Sequence, residues 1–140
     1  MTNDVPAGFS PLETPPGFVR SLGGFYFHDE LPILGMHITA DHLNSVRIAH
    51  GGLLATLADS AFGVVFKRHL GTPVPPITVN LSIDYLGAVR EGDWLEAHVE
   101  VLKVGSSFVN ANCLLKVGDR LVLRATGIFT VWKGKLPAAG

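Results

Sequence analysis

Asp59 is the residue that simple packing explains least well. It is the only charge in the stretch 51–66, GGLLATLADSAFGVVF, which is otherwise apolar on nearly every face of a helix. An ionised carboxylate is costly to bury unless it is paired. The positions three and four residues away, Ala55, Thr56, Phe62 and Gly63, offer it no base. Two readings fit these facts. Asp59 either faces water or an arginine from a distant strand, or it lines a cleft as a nucleophile or general base. The helix context alone does not decide between them.

His50-Gly51-Gly52 opens the same stretch, and paired glycines are poor helix formers. One reading is a tight loop-to-helix turn with His50 as a polar cap. The other is close approach: bare N–H groups at a helix N-terminus face outward with the positive end of the dipole. Such donors bind a carboxylate, a phosphate or the oxyanion of a carbonyl under attack. Gly51 and Asp59 stand eight residues apart, roughly 12 Å along a helix. A single reacting carbonyl needs donor and attacking group both within about 3–3.5 Å. One chain cannot supply both, whereas two antiparallel helices across a two-fold axis can. If both groups are catalytic, the dimer is obligatory and holds two equivalent sites.

The elements around these residues follow from pattern. Residues 1–17 hold four of the nine prolines and read as a flexible, extended arm, leaving 18–140 as a single domain. Partial alternation over 31–40 suits a strand, and 41–49 is a polar loop. The helix begins at Gly51 and runs through Phe66. Lys67, Arg68 and His69 complement its C-terminal dipole, and Gly71 and Pro73 stop it. A helix apolar all round is a buried one. The stretches 77–86, 94–104, 107–117 and 120–132 read as four strands of an antiparallel meander, with Trp94 and Trp132 packing on them. Turn signals separate them at Arg90-Glu91-Gly92-Asp93, Gly105-Ser106 and Gly118-Asp119. The fold class is therefore α+β, a long central helix laid on a curved antiparallel sheet of about six strands.

Composition narrows the functions. The 140 residues are 47% hydrophobic and 16% charged, with a formal net charge of -1 and no basic stripe, which argues against a nucleic-acid partner. The single cysteine, Cys113, forms no internal disulfide and no Cys-rich zinc site, and we expect a cytoplasmic location. No secretory pattern opens the chain, and no uncharged apolar run reaches the ~18 to 20 residues that span a bilayer. His37, Asp41 and His42 lie close in sequence, but a strand and a loop need not bring them together, so no metal is expected. A mean hydropathy of +0.34 is high for so small a domain and predicts a homo-oligomer.

His42-Leu43-Asn44, His50-Gly51-Gly52 and Asp59 together resemble the PaaI-like branch of the hotdog-fold acyl-CoA thioesterases. The likeness extends through the run from Thr78 to Leu86, the Arg90-Glu91-Gly92-Asp93 turn, and Val101-Leu102-Lys103-Val104-Gly105-Ser106, covering about 24–132. It implies that Asp59 is the catalytic carboxylate, attacking the thioester carbonyl or activating water to do so. The Gly51 amide, with Gly52 beside it and the Asn44 side chain assisting, would polarise that carbonyl. Thr78 would orient the water. His50 would shape the loop and contact Asn44 without acting as a base. Many relatives have glycine where this chain has Arg47, and a cation there would meet a coenzyme A phosphate. Arg90, Lys103 and Ser106 are placed to serve the same nucleotide end. Phe62, with Leu53, Leu54 and Leu57, either walls an acyl pocket or packs in the core, the more common fate of apolar helix residues.

The function expected is thus hydrolysis of an acyl-CoA thioester, with no cofactor beyond the coenzyme A of the substrate, in a homodimer that pairs into a homotetramer. No Gly-x-Ser-x-Gly elbow is present, which argues against a serine hydrolase. The hydratase side of the same fold uses a histidine motif unlike His50-Gly51-Gly52. A non-catalytic acyl-CoA or small-ligand binding module is the competing reading; it would gain nothing from an acid aimed at the ester.

Overall fold

The computed structural model describes residues 4–73 and 76–131. Its elements run β1 (Phe9–Pro11), α1 (Phe18–Ser21), β2 (Tyr26–His28), β3 (Ile33–His37), a 3-10 turn at Ala40–His42, α2 (Gly51–Leu70), β4 (Thr78–Tyr85), β5 (Trp94–Val104), β6 (Phe108–Val117) and β7 (Arg120–Thr130). Alternation of side chains decides which sheet face meets the helix. On β5 the buried apolar residues are Leu95, Ala97 and Val99, on β6 Val109, Ala111, Cys113 and Leu115, and on β7 Leu123, Ala125 and Phe129, with Val122 buried as well. Helix α2 packs against β3, β4, β5, β6 and β7, so the sheet wraps it in the hotdog arrangement. Burial pushes the Cys113 thiol up to about 12, which leaves it a neutral packing residue.

Helix α2 starts where His50 caps it and ends at Gly71, which adopts the left-handed conformation at φ 64. It is buried on one broad face by Leu53, Leu54, Leu57, Ala58, Phe62 and Phe66, among others. It is not buried all round: Ala55, Thr56, Asp59, Ser60 and Val64 form a half-exposed stripe at helical spacing. Asp59 projects from that stripe.

All strand pairs are antiparallel, in the order β1-β2-β3-β5-β6-β7-β4. One expectation is corrected here. Strands β5, β6 and β7 form a meander, but β4 does not join it through β5. It pairs with β7 at the far edge, Thr78 opposite Phe129 and Tyr85 opposite Leu123. The β5–β6 and β6–β7 links, residues 105–107 and 118–119, are hairpin length, whereas residues 86–93 form a longer connection. That connection is tied to the loop before α2 by the Ala49 N–H bond to the Val89 carbonyl, 2.7 Å.

The expected sheet of about six strands is found, with seven among the described residues because the proline-rich arm contributes β1. Phe9 meets the His28 and Trp94 rings edge-on at 5.1 and 5.2 Å, and Ser10 Oγ donates to Asp29 Oδ1 at 2.6 Å. Pro11 is accommodated because β1 is an edge strand. Trp94 packs as expected, while Trp132 lies outside the described residues.

Gly127 on β7 lets the helix approach: a Cβ there would sit 2.8 Å from the Phe62 ring and 3.0 Å from Phe129. Both rings are fully buried. Gly127→Ala should therefore lower stability by about 1–3 kcal/mol, read as a fall in the urea midpoint with an unchanged slope.

Candidate active site

The carboxylate of Asp59 is held from outside its helix. Thr78 Oγ1 donates to Asp59 Oδ1 at 2.7 Å. Thr78 opens β4 where the β4–β7 register shifts between Thr78 and Asn80, and such an extra residue re-aims a neighbouring side chain. The bond fixes the rotamer of the acid and leaves Oδ2 available. Among the described residues no base pairs with Asp59.

The start of α2 is equally ordered. His50 Nδ1 accepts the Gly52 N–H at 2.8 Å, so the Gly52 amide is occupied and not offered to a ligand. His50 accordingly contacts Gly52, not Asn44 as expected. The Gly51 N–H has no hydrogen-bond partner among the described residues. It shares its peptide unit with the His50 carbonyl, which accepts from Leu53 N–H at 2.9 Å and Leu54 N–H at 3.2 Å. Bonds to that oxygen polarise the peptide and strengthen its outward donor. Tyr85 lies across the same turn, its hydroxyl donating to the Gly51 carbonyl at 2.7 Å.

Asn44 sits beside this turn in the loop. Its Oδ1 accepts from Val46 N–H at 3.1 Å and Ile48 N–H at 3.2 Å. The acceptor half of the amide is thereby used, and the donor Nδ2 remains. His42 anchors the loop from below: Nδ1 accepts from Thr39 N–H at 2.9 Å, and Nε2 donates to the Leu22 carbonyl at 2.6 Å. Both ring nitrogens are spent, which removes His42 as a metal ligand. Among the described residues no three His, Cys, Asp or Glu side chains converge on a metal position.

The expected site residues thus fall at two ends of the protomer. Gly51, Asn44, His50, Arg47 and Arg90 gather at one end. Arg47 NH2 lies 3.9 Å from Glu91 Oε1, beside Arg90. Asp59 and Thr78 mark the other end. The sheet register, Thr78 opposite Phe129, Phe129 opposite Val109 and Val109 opposite Val104, puts the turn carrying Lys103 and Ser106 on that second side. Phe62 belongs to neither. It is fully buried, its ring centroid 5.8 Å from Phe66 and 5.5 Å from Phe129. It packs the core, as Leu53, Leu54 and Leu57 do.

A family model described as the thioesterase superfamily matches residues 47–124, more than half of the chain. The chain belongs to the thioesterase superfamily. Its match spans the helix and both ends of the site. A Pseudomonas aeruginosa protein with the provisional name of esterase is 38% identical over 129 residues, covering 90% of this chain and 96% of that one. A Streptococcus pneumoniae structure, described as a hypothetical thioesterase protein with coenzyme A, is 27% identical with a TM-score of 0.64, covering 71% of this chain and 77% of that one. The phenylacetic acid degradation protein PaaI of Thermus thermophilus shares the fold at a TM-score of 0.65 and 24% identity, covering 88% and 92%. This superfamily member is thus a thioesterase-type hydrolase in a hotdog fold.

Sequence reasoning missed the Tyr85 brace, since a tyrosine in a strand carries no signal that its hydroxyl reaches the first turn of the helix. It did flag Arg47. That residue has φ 65, the one non-glycine with positive φ among the described residues. Glycine would be the unstrained residue at this place, and a side chain there costs about 1–2 kcal/mol. The ion pair with Glu91 is exposed and offsets little of it. Arg47→Gly should leave the fold intact and raise stability by about 0.5–1 kcal/mol, seen as a higher thermal midpoint.

Proposed function

We propose that this thioesterase-superfamily hydrolase cleaves acyl-CoA thioesters at sites shared by two protomers. The carrying observation is the separation of functions along α2: a free donor at Gly51 and a braced acid at Asp59, eight residues and about 12 Å apart. Across a two-fold axis the Gly51 end of one protomer meets the Asp59 end of its partner. The thioester carbonyl then accepts from Gly51 N–H and Asn44 Nδ2. The Asp59 carboxylate on the other protomer attacks that carbonyl or takes a proton from the water that does. Charge developing on the carbonyl oxygen strengthens both donor bonds in the transition state. Collapse expels the coenzyme A thiolate, which takes up a proton and leaves as the thiol. Where water attacked, the acyl group departs as the carboxylate; where Asp59 attacked, water then hydrolyses the acyl–Asp59 anhydride to the same carboxylate and restores Asp59. Thr78 holds Asp59 in position and, in this reading, orients the water.

Dimer formation is supported by what the protomer leaves open. Strand β4 ends the sheet with an unpaired edge, and Ile77, Val79, Tyr85 and Leu86 there are all more than half exposed. Such an edge is covered in a stable protein. Leu102, Val104 and Phe108 at the β5–β6 end are further exposed apolar surface, which pairing of dimers into a tetramer would cover. For the nucleotide, Arg47 and Arg90 from one protomer and Lys103 and Ser106 from its partner offer charge and a hydroxyl to phosphate. The presence of coenzyme A in the pneumococcal relative's structure supports that ligand. We place the protein in the cytoplasm and assign it no cofactor.

Free-thiol release from short, medium, long-chain and aromatic acyl-CoA esters tests this reading. The unsubstituted protein should turn over part of the panel, and Asp59→Asn should lose that activity by several orders of magnitude while keeping its fold and assembly state. Full activity in a folded Asp59→Asn protein would refute the mechanism. Binding of acyl-CoA without any turnover would make the protein a ligand-binding module instead.

A further inference from the structure

Beside Asp59 and Thr78 lies a cleft of about 390 Å³. One wall is α2, which contributes Asp59, Gly63, Val64 and Lys67, and Phe25 and Phe129 add aromatic surface. The opposite wall is the N-terminal segment, through Leu12, Glu13, Thr14 and Pro15 of the arm and Val19 of α1. These residues are pinned on both sides. Before them β1 is paired to β2, and the Leu12 N–H donates to the Phe25 carbonyl at 2.9 Å. After them the segment following α1 is tied to the loop through the Leu22 carbonyl and His42 Nε2, 2.6 Å apart. Leu12 and Val19 are partly buried against the core. The N-terminal segment is therefore an ordered wall of the cleft that Asp59 also lines.

We propose that this cleft receives the acyl group and that Leu12 of the arm and Val19 of α1 select which acyl groups fit. The favoured substrate class is an apolar acyl group of medium length, its carbonyl at Asp59 and its distal end toward Lys67. Those two residues are eight apart on α2, about 12 Å, which bounds the straight path along the helix. The position of the carbonyl rests on the thioesterase reading; the wall does not. Each methylene buried in such an apolar slot is worth about a fourfold gain, so a change of wall volume is legible as a change of chain-length preference.

The test is a chain-length profile in two opposed variants. For Leu12→Ala, kcat/KM for dodecanoyl-CoA relative to butanoyl-CoA should rise about tenfold; for Leu12→Trp the same ratio should fall. Val19→Ala serves as a second enlargement if Leu12→Ala does not fold. In parallel, calorimetry with the non-hydrolysable thioethers S-butyl-CoA and S-dodecyl-CoA reads the wall without chemistry. Their affinity ratio should move in the same opposed directions. Absence of turnover on every ester would remove the thioesterase reading, and the thioether ratios would then decide the wall alone. Folded enlarging and filling variants with the ratio of the unsubstituted protein, in turnover or in thioether binding, overturn the proposal.

Discussion

A helix rises about 1.5 Å per residue whatever its sequence, and that pitch holds Gly51 and Asp59 apart within the protomer. The chain places an outward peptide donor at one position and a braced acid two turns later, on one rigid element that cannot fold back on itself. The sheet reinforces the separation. Strand β4 runs alongside, with Thr78 gripping Asp59 at one end and Tyr85 gripping the first turn of α2 at the other. Each functional group is thus fixed by a bond to the same edge strand. Neither end can move toward the other without unpicking the β4–β7 ladder.

That edge strand also shows where sequence reasoning reached and where it stopped. The helix was legible because its ends carry chemistry: His50 at the start, and basic residues followed by Gly71 at the close. Strands β5, β6 and β7 were legible because alternation and short turns are local signals. The position of β4 was not, since periodicity reports that a strand exists and says nothing about its partner. Strand β1 escaped for a different reason: three residues ending in proline show no alternation, and the contacts that order them, from His28, Asp29 and Trp94, come from elsewhere in the chain.

The site was legible to a similar depth. Asp59 stood out because an unpaired acid in an apolar stretch requires an explanation, and the structure supplies one in the Thr78 hydroxyl. Gly51 and Gly52 looked equivalent in sequence. They differ in the structure because the His50 ring captures the second amide and leaves the first. Phe62 was misjudged because a helix apolar on most faces does not announce which side meets the sheet. Arg47 illustrates the converse: its left-handed backbone is a local strain that a sequence pattern does not report.

A shared site requires that donor and acid come from different protomers. Chains bearing Asp59→Asn and chains bearing Gly51→Pro, each inactive as homodimers, can be co-expressed and the mixed dimers isolated through two different affinity tags. Proline suits the first helical position and removes its N–H, its Cβ would meet the Tyr85 ring at 3.4 Å, and His50, at φ -63 and ψ 135, already has the conformation that precedes proline. A mixed dimer then holds one intact composite site and should recover about half the activity of the unsubstituted dimer. Mixed dimers as inactive as either parent would contradict the shared site.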